Sequence, residues 1–179
     1  MSIAFTFPGQ GSQAVGMGRD LAEQFAEARA VFQEVDDALG EKLSDTMWNG
    51  PESDLTLTAN AQPALMAVSL ATMRVIESRG LDLKASVAFV AGHSLGEYSA
   101  LAAAGALSVA DAARLLRIRG DAMQKAVPVG EGAMAALLGL DFDAAVEVAR
   151  EAAGGEVCQA ANDNAPGQVV VSGHKSAVE

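Results

Sequence analysis

Short apolar runs alternate with longer segments of helical periodicity along the first 127 residues. Ile3–Phe7 and residues 86–91 are short, apolar and rich in β-branched and aromatic residues, which predicts two buried strands. Between and after them, apolar residues recur at helical spacing, so the pattern predicts an α/β fold with a mostly parallel sheet. The predicted helices span residues 19–39, 60–78, 95–104 and 109–126.

Two of these helices carry start signals. Asn60, with Pro63 in the first turn, predicts a side-chain cap for the second helix. Ser108 followed by Asp111 has the spacing of a capping box and predicts the start of the fourth helix. Residues 44–60 are mixed and turn-rich, with room for a short helix.

The pattern of apolar and polar residues changes after a predicted linker at residues 128–132. The pattern beyond it predicts strand, helix, strand, strand, which is the opening of a ferredoxin-like unit. We therefore expect residues 1–127 to form the N-terminal part of an α/β domain and residues 128–179 an incomplete ferredoxin-like subdomain, in a chain truncated within a helix. The predicted elements are strand 133–140, helix 143–153, strand 157–161, turn 162–167 and strand 168–172.

Composition narrows the range of partners. Half of the residues are hydrophobic, the formal net charge is −11, and the sequence pI is about 4.5, which argues against a nucleic-acid partner. Cys158 is the single cysteine, as expected of a protein from a reducing compartment. No apolar run approaches the length of a membrane span. We expect a cytoplasmic protein with no membrane partner.

Residues 92–96 read Gly-His-Ser-Leu-Gly, a G-x-S-x-G pentapeptide between a predicted strand and a predicted helix. In that context the motif predicts a sharp turn that exposes the serine hydroxyl. Ser94 is therefore the candidate nucleophile. The backbone N–H of Leu95, at the start of the helix, is a candidate oxyanion donor, and the loop Pro8–Ser12 after the first strand can supply another.

A base for Ser94 is harder to find. His93 is adjacent to Ser94, and neighbouring side chains diverge at a sharp turn, so packing beside the nucleophile is its expected role. His174 reads as a surface turn residue. With one cysteine and two separated histidines, a metal site is not expected.

Arg119 falls on the apolar side of its predicted helix, on a stripe through 112, 115/116, 119, 122/123 and 126, whereas Arg114, Arg117 and Asp121 fall on the opposite face. A charge on the core side needs a partner. Two interpretations stay open: a buried salt bridge to an acid, or a guanidinium fork that holds a substrate carboxylate.

Several motifs, taken together and in this order, resemble the malonyl-CoA:acyl-carrier-protein transacylase family of bacterial fatty-acid synthesis. The likeness covers nearly the whole chain. The motifs are Phe7-Pro8-Gly9-Gln10-Gly11-Ser12-Gln13, Gly92-His93-Ser94-Leu95-Gly96-Glu97-Tyr98, Arg117-Ile118-Arg119-Gly120, Met123-Gln124, Gly132-Ala133-Met134-Ala135 and Asn164-Ala165-Pro166-Gly167-Gln168-Val169-Val170.

The resemblance implies an α/β-hydrolase-like large domain with an inserted ferredoxin-like domain. It also implies a ping-pong reaction, in which Ser94 takes malonyl from coenzyme A as an ester and passes it to the phosphopantetheine thiol of acyl carrier protein. No cofactor is implied, and the full-length protein is expected to be a monomer. The implied roles are oxyanion donors at the N–H groups of Gln10 and Leu95, carboxylate binding by Arg119, pocket lining by Met123 and Asn162, and a place beside the nucleophile for His93.

The family's catalytic histidine lies downstream of the segment that this chain matches. We therefore expect the 179-residue chain to be inactive or very weak by itself. Two alternatives remain: an α/β-hydrolase esterase or thioesterase, and a non-catalytic fragment that acts as an interaction module.

Overall fold

The computed structural model describes residues 3–128 and 130–179, which form two compact units, Met1–Gln124 and Lys125–Glu179. The division falls shortly before the boundary that the sequence predicts after residue 127. The predicted linker at 128–132 includes position 129, which lies outside the described residues. No helix in the described part of the chain is both long enough and apolar enough to cross a bilayer.

The first unit is an α/β unit built around a pair of parallel strands. Phe7 lies opposite Gly92 in the register, so both strands end at the same edge of the sheet. The prediction of two parallel strands is confirmed. In chain order the elements are β1 (Ile3–Phe7), α1 (Arg19–Gln24), α2 (Ala26–Leu39), α3 (Leu43–Asn49), α4 (Glu52–Thr56), α5 (Thr58–Ser78), α6 (Leu83–Ser86), β2 (Val87–Gly92), α7 (Leu95–Ala103) and α8 (Val109–Ala126).

Helix α5 lies at the centre of this unit. Residues 61–67 are all buried, which means that the helix is covered on every side over two turns. Four of these seven positions are small or rigid, Ala61, Pro63, Ala64 and Ala67, so neighbouring helices can approach the α5 backbone closely. One of the seven is polar, Gln62, and it is fully buried.

The prediction of a single helix over residues 19–39 is wrong, because the helix is interrupted at Phe25, between α1 and α2. Phe25 is extended, at φ −127° and ψ 120°, and its ring lies under the Arg79 guanidinium at 5.2 Å. Arg29 donates to the carbonyls of Ala22 and Glu23 at 3.0 and 3.1 Å and so satisfies the end of α1. These long side chains stabilise a break that the apolar periodicity does not reveal.

The two predicted helix caps have different outcomes. The predicted Asn60 cap is wrong: α5 begins at Thr58, and the Asn60 amide instead donates to the Asp54 carbonyl at 2.8 Å. The Ser108 cap is confirmed, since its hydroxyl accepts from the Asp111 N–H at 3.0 Å and α8 begins at the next residue.

The second unit is an antiparallel sheet with helices packed on it, and its first four elements follow the predicted order of strand, helix, strand, strand. Its strands lie in the order β3-β5-β4. The predicted turn at 162–167 is too long, because β4 continues to Ala165 through two register irregularities and leaves Pro166 and Gly167 to turn the chain. The elements are β3 (Gly132–Leu138), α9 (Phe142–Ala152), β4 (Cys158–Ala165), β5 (Gln168–His174) and α10 (Lys175–Val178).

Candidate active site

Ser94 lies in a sharp turn between β2, which ends at Gly92, and α7, which begins at Leu95. Its backbone has φ 55° and ψ −113°, and among the described residues it is the one non-glycine residue with positive φ. Such a conformation costs about 1–3 kcal/mol and persists where the surrounding structure enforces it. The side chain is exposed. The turn therefore presents the hydroxyl to solvent, as the pentapeptide predicts.

Gly92 and Gly96, on either side of Ser94, are required because no larger side chain fits at either position. A Cβ atom at Gly92 would lie 1.9 Å from the Gly96 carbonyl carbon, and one at Gly96 would lie 2.3 Å from the Phe7 oxygen. Both clashes are with backbone atoms, which cannot move aside cheaply. The first turn of α7 therefore packs directly on the end of β1.

The loop after β1 packs against this turn. The His93 N–H donates to the Phe7 carbonyl at 3.1 Å, and a Cβ atom at Gly9 would lie 2.6 Å from His93 Nδ1. Gln10 follows Gly9 in this loop, and its side chain accepts a hydrogen bond from Thr58 Oγ1 at 2.8 Å. The oxyanion roles of the Gln10 and Leu95 N–H groups stay predictions.

Arg119 points toward Ser94. Its Nη2 donates to Ser94 Oγ at 2.9 Å, and its Nη1 donates to Gln62 Oε1. Both acceptors are neutral oxygens. In the part of the chain that the structure describes, Arg119 forms no ion pair with Asp or Glu. Of the two interpretations that the sequence leaves open, the buried salt bridge is therefore absent from this part of the chain.

The sequence pattern placed the faces of α8 only in part: Ala112 and Leu116 are buried and Arg114 is exposed as expected, but Arg117 and Arg119 differ. Its buried face runs through Val109, Ala112, Ala113, Leu116 and Gly120, so Arg119 is half-buried at the border of that face. Arg117 was expected on the opposite face. Instead its side chain is only 20% exposed, and it forms an ion pair with Glu41 and donates to Asn60 Oδ1 at 2.6 Å.

The close approach of α8 to α5 explains this shift. A Cβ atom at Gly120 would lie 2.5 Å from Ala59 Cα and 2.8 Å from the Thr58 oxygen. With glycine there, the backbones meet at the start of α5, and the two arginines just before the contact, Arg117 and Arg119, reach α5 residues.

Gln62 is a site residue that the sequence analysis missed. It is fully buried, and its amide contacts Arg119, Thr58 at 2.9 Å and the Met123 sulfur at 3.4 Å. Met123, predicted to line the pocket, is 47% exposed beside this cluster. A polar residue within an otherwise apolar run was the signal that could have identified Gln62.

The remaining predicted residues lie elsewhere. Asn162 is exposed on β4 and His174 ends β5, both in the second unit, and His174 Nδ1 accepts from the Val157 N–H at 3.0 Å. The pocket role of Asn162 stays a prediction. At the Ser94 hydroxyl, the described residues supply one side-chain hydrogen bond, from Arg119, which does not accept protons.

The family model described as "Acyl transferase domain" matches residues 4–179. Among curated proteins, the chain is 51% identical over 178 residues to the malonyl CoA-acyl carrier protein transacylase of Bacillus subtilis and 49% identical over 177 residues to that of Escherichia coli K12. Each match covers 99% of this chain, but 55% of the first protein and 56% of the second. The chain thus spans about half the length of these curated relatives.

Solved structures of similar proteins also match nearly the whole of this chain and about half of their own length. The acyl-carrier-protein-S-malonyltransferase of Bartonella henselae superposes with a TM-score of 0.94 at 64% identity, over 99% of this chain and 56% of that one. A second structure, a type II PKS acyl-carrier protein in complex with its malonyl-transacylase, gives a TM-score of 0.91 at 44% identity, over 99% and 57%.

Proposed function

The chain belongs to the acyl transferase domain family, and from that premise we propose that its protein transfers malonyl from coenzyme A to the phosphopantetheine thiol of acyl carrier protein in fatty-acid biosynthesis. One observation carries the substrate choice: the Arg119 guanidinium lies 2.9 Å from the exposed Ser94 hydroxyl and pairs with no acid among the described residues. The names of the relatives from Bacillus subtilis and Escherichia coli support the same reaction.

Arg119 selects the acyl group in this proposal. A malonyl thioester carries a free carboxylate close to its reacting carbonyl carbon, whereas an acetyl thioester carries none. Charge-assisted, bidentate hydrogen bonds to a carboxylate are stronger than those to a neutral hydroxyl. The carboxylate therefore replaces Ser94 Oγ as the acceptor for Arg119 and leaves the serine hydroxyl facing the thioester.

The chemistry then proceeds through a seryl ester. Ser94 Oγ attacks the thioester carbon and gives its proton to a base, while the N–H groups of Gln10 and Leu95 stabilise the negative oxygen. The carbon–sulfur bond breaks, and coenzyme A leaves with a proton on its sulfur. The phosphopantetheine thiol then attacks the ester, forms the new thioester and returns the proton to Ser94.

Among the described residues, the contact recorded at the Ser94 hydroxyl is with Arg119, so the proposal assigns the base to no residue of this part of the chain. Arg119 holds a hydrogen bond to Ser94 Oγ but cannot accept its proton. We therefore expect malonyl-CoA to bind to the 179-residue chain more tightly than acetyl-CoA, while transfer to acyl carrier protein is absent or very slow.

Calorimetric titration with the two thioesters tests the binding, and a turnover assay with malonyl-CoA and phosphopantetheinylated acyl carrier protein tests the rate. Equal affinities for both thioesters would overturn the assigned substrate. A normal turnover rate would instead show that the inferred lack of a base is wrong.

A hydrolytic esterase or thioesterase is the second candidate, because the exposed turn at Ser94 also suits those reactions. It would prefer neutral acyl groups, which the unpaired charge at Arg119 disfavours. The third candidate, a non-catalytic module, predicts no labelling of Ser94 by a fluorophosphonate although the chain melts cooperatively. Labelling of the wild type and not of Ser94→Ala would exclude it.

The finer fold assignments belong to the same proposal. The parallel β1–β2 pair with its serine turn supports an α/β-hydrolase-like large domain at 1–127, and the strand order β3-β5-β4 supports a ferredoxin-like subdomain at 128–179. The proposal also includes pocket lining by Met123 and Asn162 and packing of His93 beside Ser94. It further includes the lack of a cofactor or metal, a monomeric full-length protein and a cytoplasmic location.

A further inference from the structure

The Gln62 side chain is fully buried, and each polar atom of its amide has a partner. Nε2 donates to Thr58 Oγ1 at 2.9 Å and to the Met123 sulfur at 3.4 Å, while Oε1 accepts from Arg119 Nη1. Burial of an amide is unfavourable unless its hydrogen bonds are made. The complete set of partners therefore fixes the amide in one orientation.

That orientation is set by the guanidinium. Arginine only donates, so the atom of Gln62 that faces Arg119 must be the oxygen. A reversed amide would set N–H against N–H and leave Thr58 without its donor. A glutamate at this position would also accept from Arg119, but it would bring a negative charge and form the ion pair that the structure lacks.

The same amide connects Arg119 to the loop after β1. Thr58 Oγ1 accepts from Gln62, and its own proton goes to Gln10 Oε1 at 2.8 Å. Hydrogen bonds thus run from the guanidinium through two α5 side chains to Gln10. Each bond in this series depends on the direction of its neighbour.

We propose that Gln62 is a positioning residue, which holds the Arg119 fork toward Ser94 as a neutral acceptor and fixes the Gln10 side chain through Thr58. Neutrality is essential, since the guanidinium keeps its full positive charge for an acyl carboxylate. Gln62 itself contacts no substrate. The inference rests on the proposed malonyl transfer for its consequence, but the geometry of Arg119 can be tested without any substrate.

The first experiment measures the orientation of Arg119. In wild type, nuclear magnetic resonance of the guanidinium groups should show hindered rotation for Arg119, because its two terminal nitrogens donate to different residues. Gln62→Leu removes the acceptor, so we expect this rotation to become free, while Arg117, which pairs with Glu41, stays hindered as the internal control. If Arg119 is equally hindered in Gln62→Leu, the positioning role is overturned.

The second experiment measures selectivity. Gln62→Glu should lower the preference for malonyl-CoA over acetyl-CoA by about tenfold or more, because the new carboxylate competes with the substrate for Arg119. Acetyl-CoA affinity should change little, whereas a merely structural defect would weaken both thioesters together. Gln24→Glu, at an exposed position on α1, is the control for added charge.

The outcomes separate the two proposals. If wild type shows no preference for malonyl-CoA but Gln62→Leu frees the guanidinium, the proposed substrate is wrong and the positioning role is right. If wild type prefers malonyl-CoA and Arg119→Ala abolishes that preference, yet Gln62→Glu retains it, the positioning role is wrong. Thermal melts of both Gln62 variants verify that they fold.

Discussion

Two of the three arginines of helix α8, Arg117 and Arg119, lie two residues apart, and their surroundings differ in one respect. Arg117 pairs with the Glu41 carboxylate and with Asn60. Arg119 has hydrogen bonds to Gln62 and Ser94, which are both neutral. An arginine whose charge meets a carboxylate contributes to the fold, whereas one that meets only neutral acceptors keeps its charge for a ligand. The partners, and not the burial, distinguish the structural arginine from the candidate binding residue.

Arg119→Ala gives the largest expected effect. Removal of a charged, bidentate partner should lower the affinity for malonyl-CoA by about a hundredfold relative to acetyl-CoA. The free energy of unfolding should also fall, by about 1–3 kcal/mol, because the buried Gln62 Oε1 loses its donor. Calorimetric titration with both thioesters measures the preference. An unchanged preference would favour the esterase or thioesterase interpretation.

Gly120→Ala should disturb both arginines at once. The added methyl group meets backbone atoms of Ala59 and Thr58, so α8 must move away from α5 at a cost of about 2 kcal/mol. The free energy of unfolding measured with urea and the preference for malonyl-CoA should both decrease. A stable Gly120→Ala protein with normal selectivity would mean that the close helix contact does not position Arg119.

Arg117→Ala should lower stability without changing selectivity, unlike Arg119→Ala. We expect a loss of about 1.5 kcal/mol in the free energy of unfolding, because Glu41 and Asn60 lose their charged partner. The preference for malonyl-CoA should be retained. If Arg117→Ala instead abolished that preference, Arg117 would take part in binding the carboxylate, and the distinction between the two arginines would be wrong.

Ser108→Ala gives the smallest effect and serves as a control for general weakening of α8. Loss of the cap should cost about 1 kcal/mol, without contact to either arginine. Urea unfolding should detect this loss, and the thioester preference should equal that of wild type. A shift in preference here would indicate that helix stability alone controls selectivity.

The features predicted correctly from the sequence depend on local chemistry. Gly92, Ser94 and Gly96 specify a turn that almost no other residues could form, because a Cβ atom would clash at either glycine. Ser108 and Asp111 form a cap within one turn of the chain. In both cases the interacting atoms are a few residues apart, so the sequence contains all the partners.

The features that the sequence missed depend on partners far along the chain. Phe25 breaks a helix of good periodicity because Arg79 lies over its ring. Arg117 turns inward to meet Glu41, 76 residues away. Periodicity assigns an average face to each residue, but it cannot identify a charge partner on another helix.

The order of the motifs determined the family, the candidate nucleophile and the candidate carboxylate-binding arginine, since each depends on residue identity at short spacing. The tertiary structure alone decided which arginine is paired with an acid and which is held by Gln62. That distinction depends on how closely α8 approaches α5 at Gly120. A separation between two helices is set by packing of side chains remote in sequence, and no local pattern encodes it.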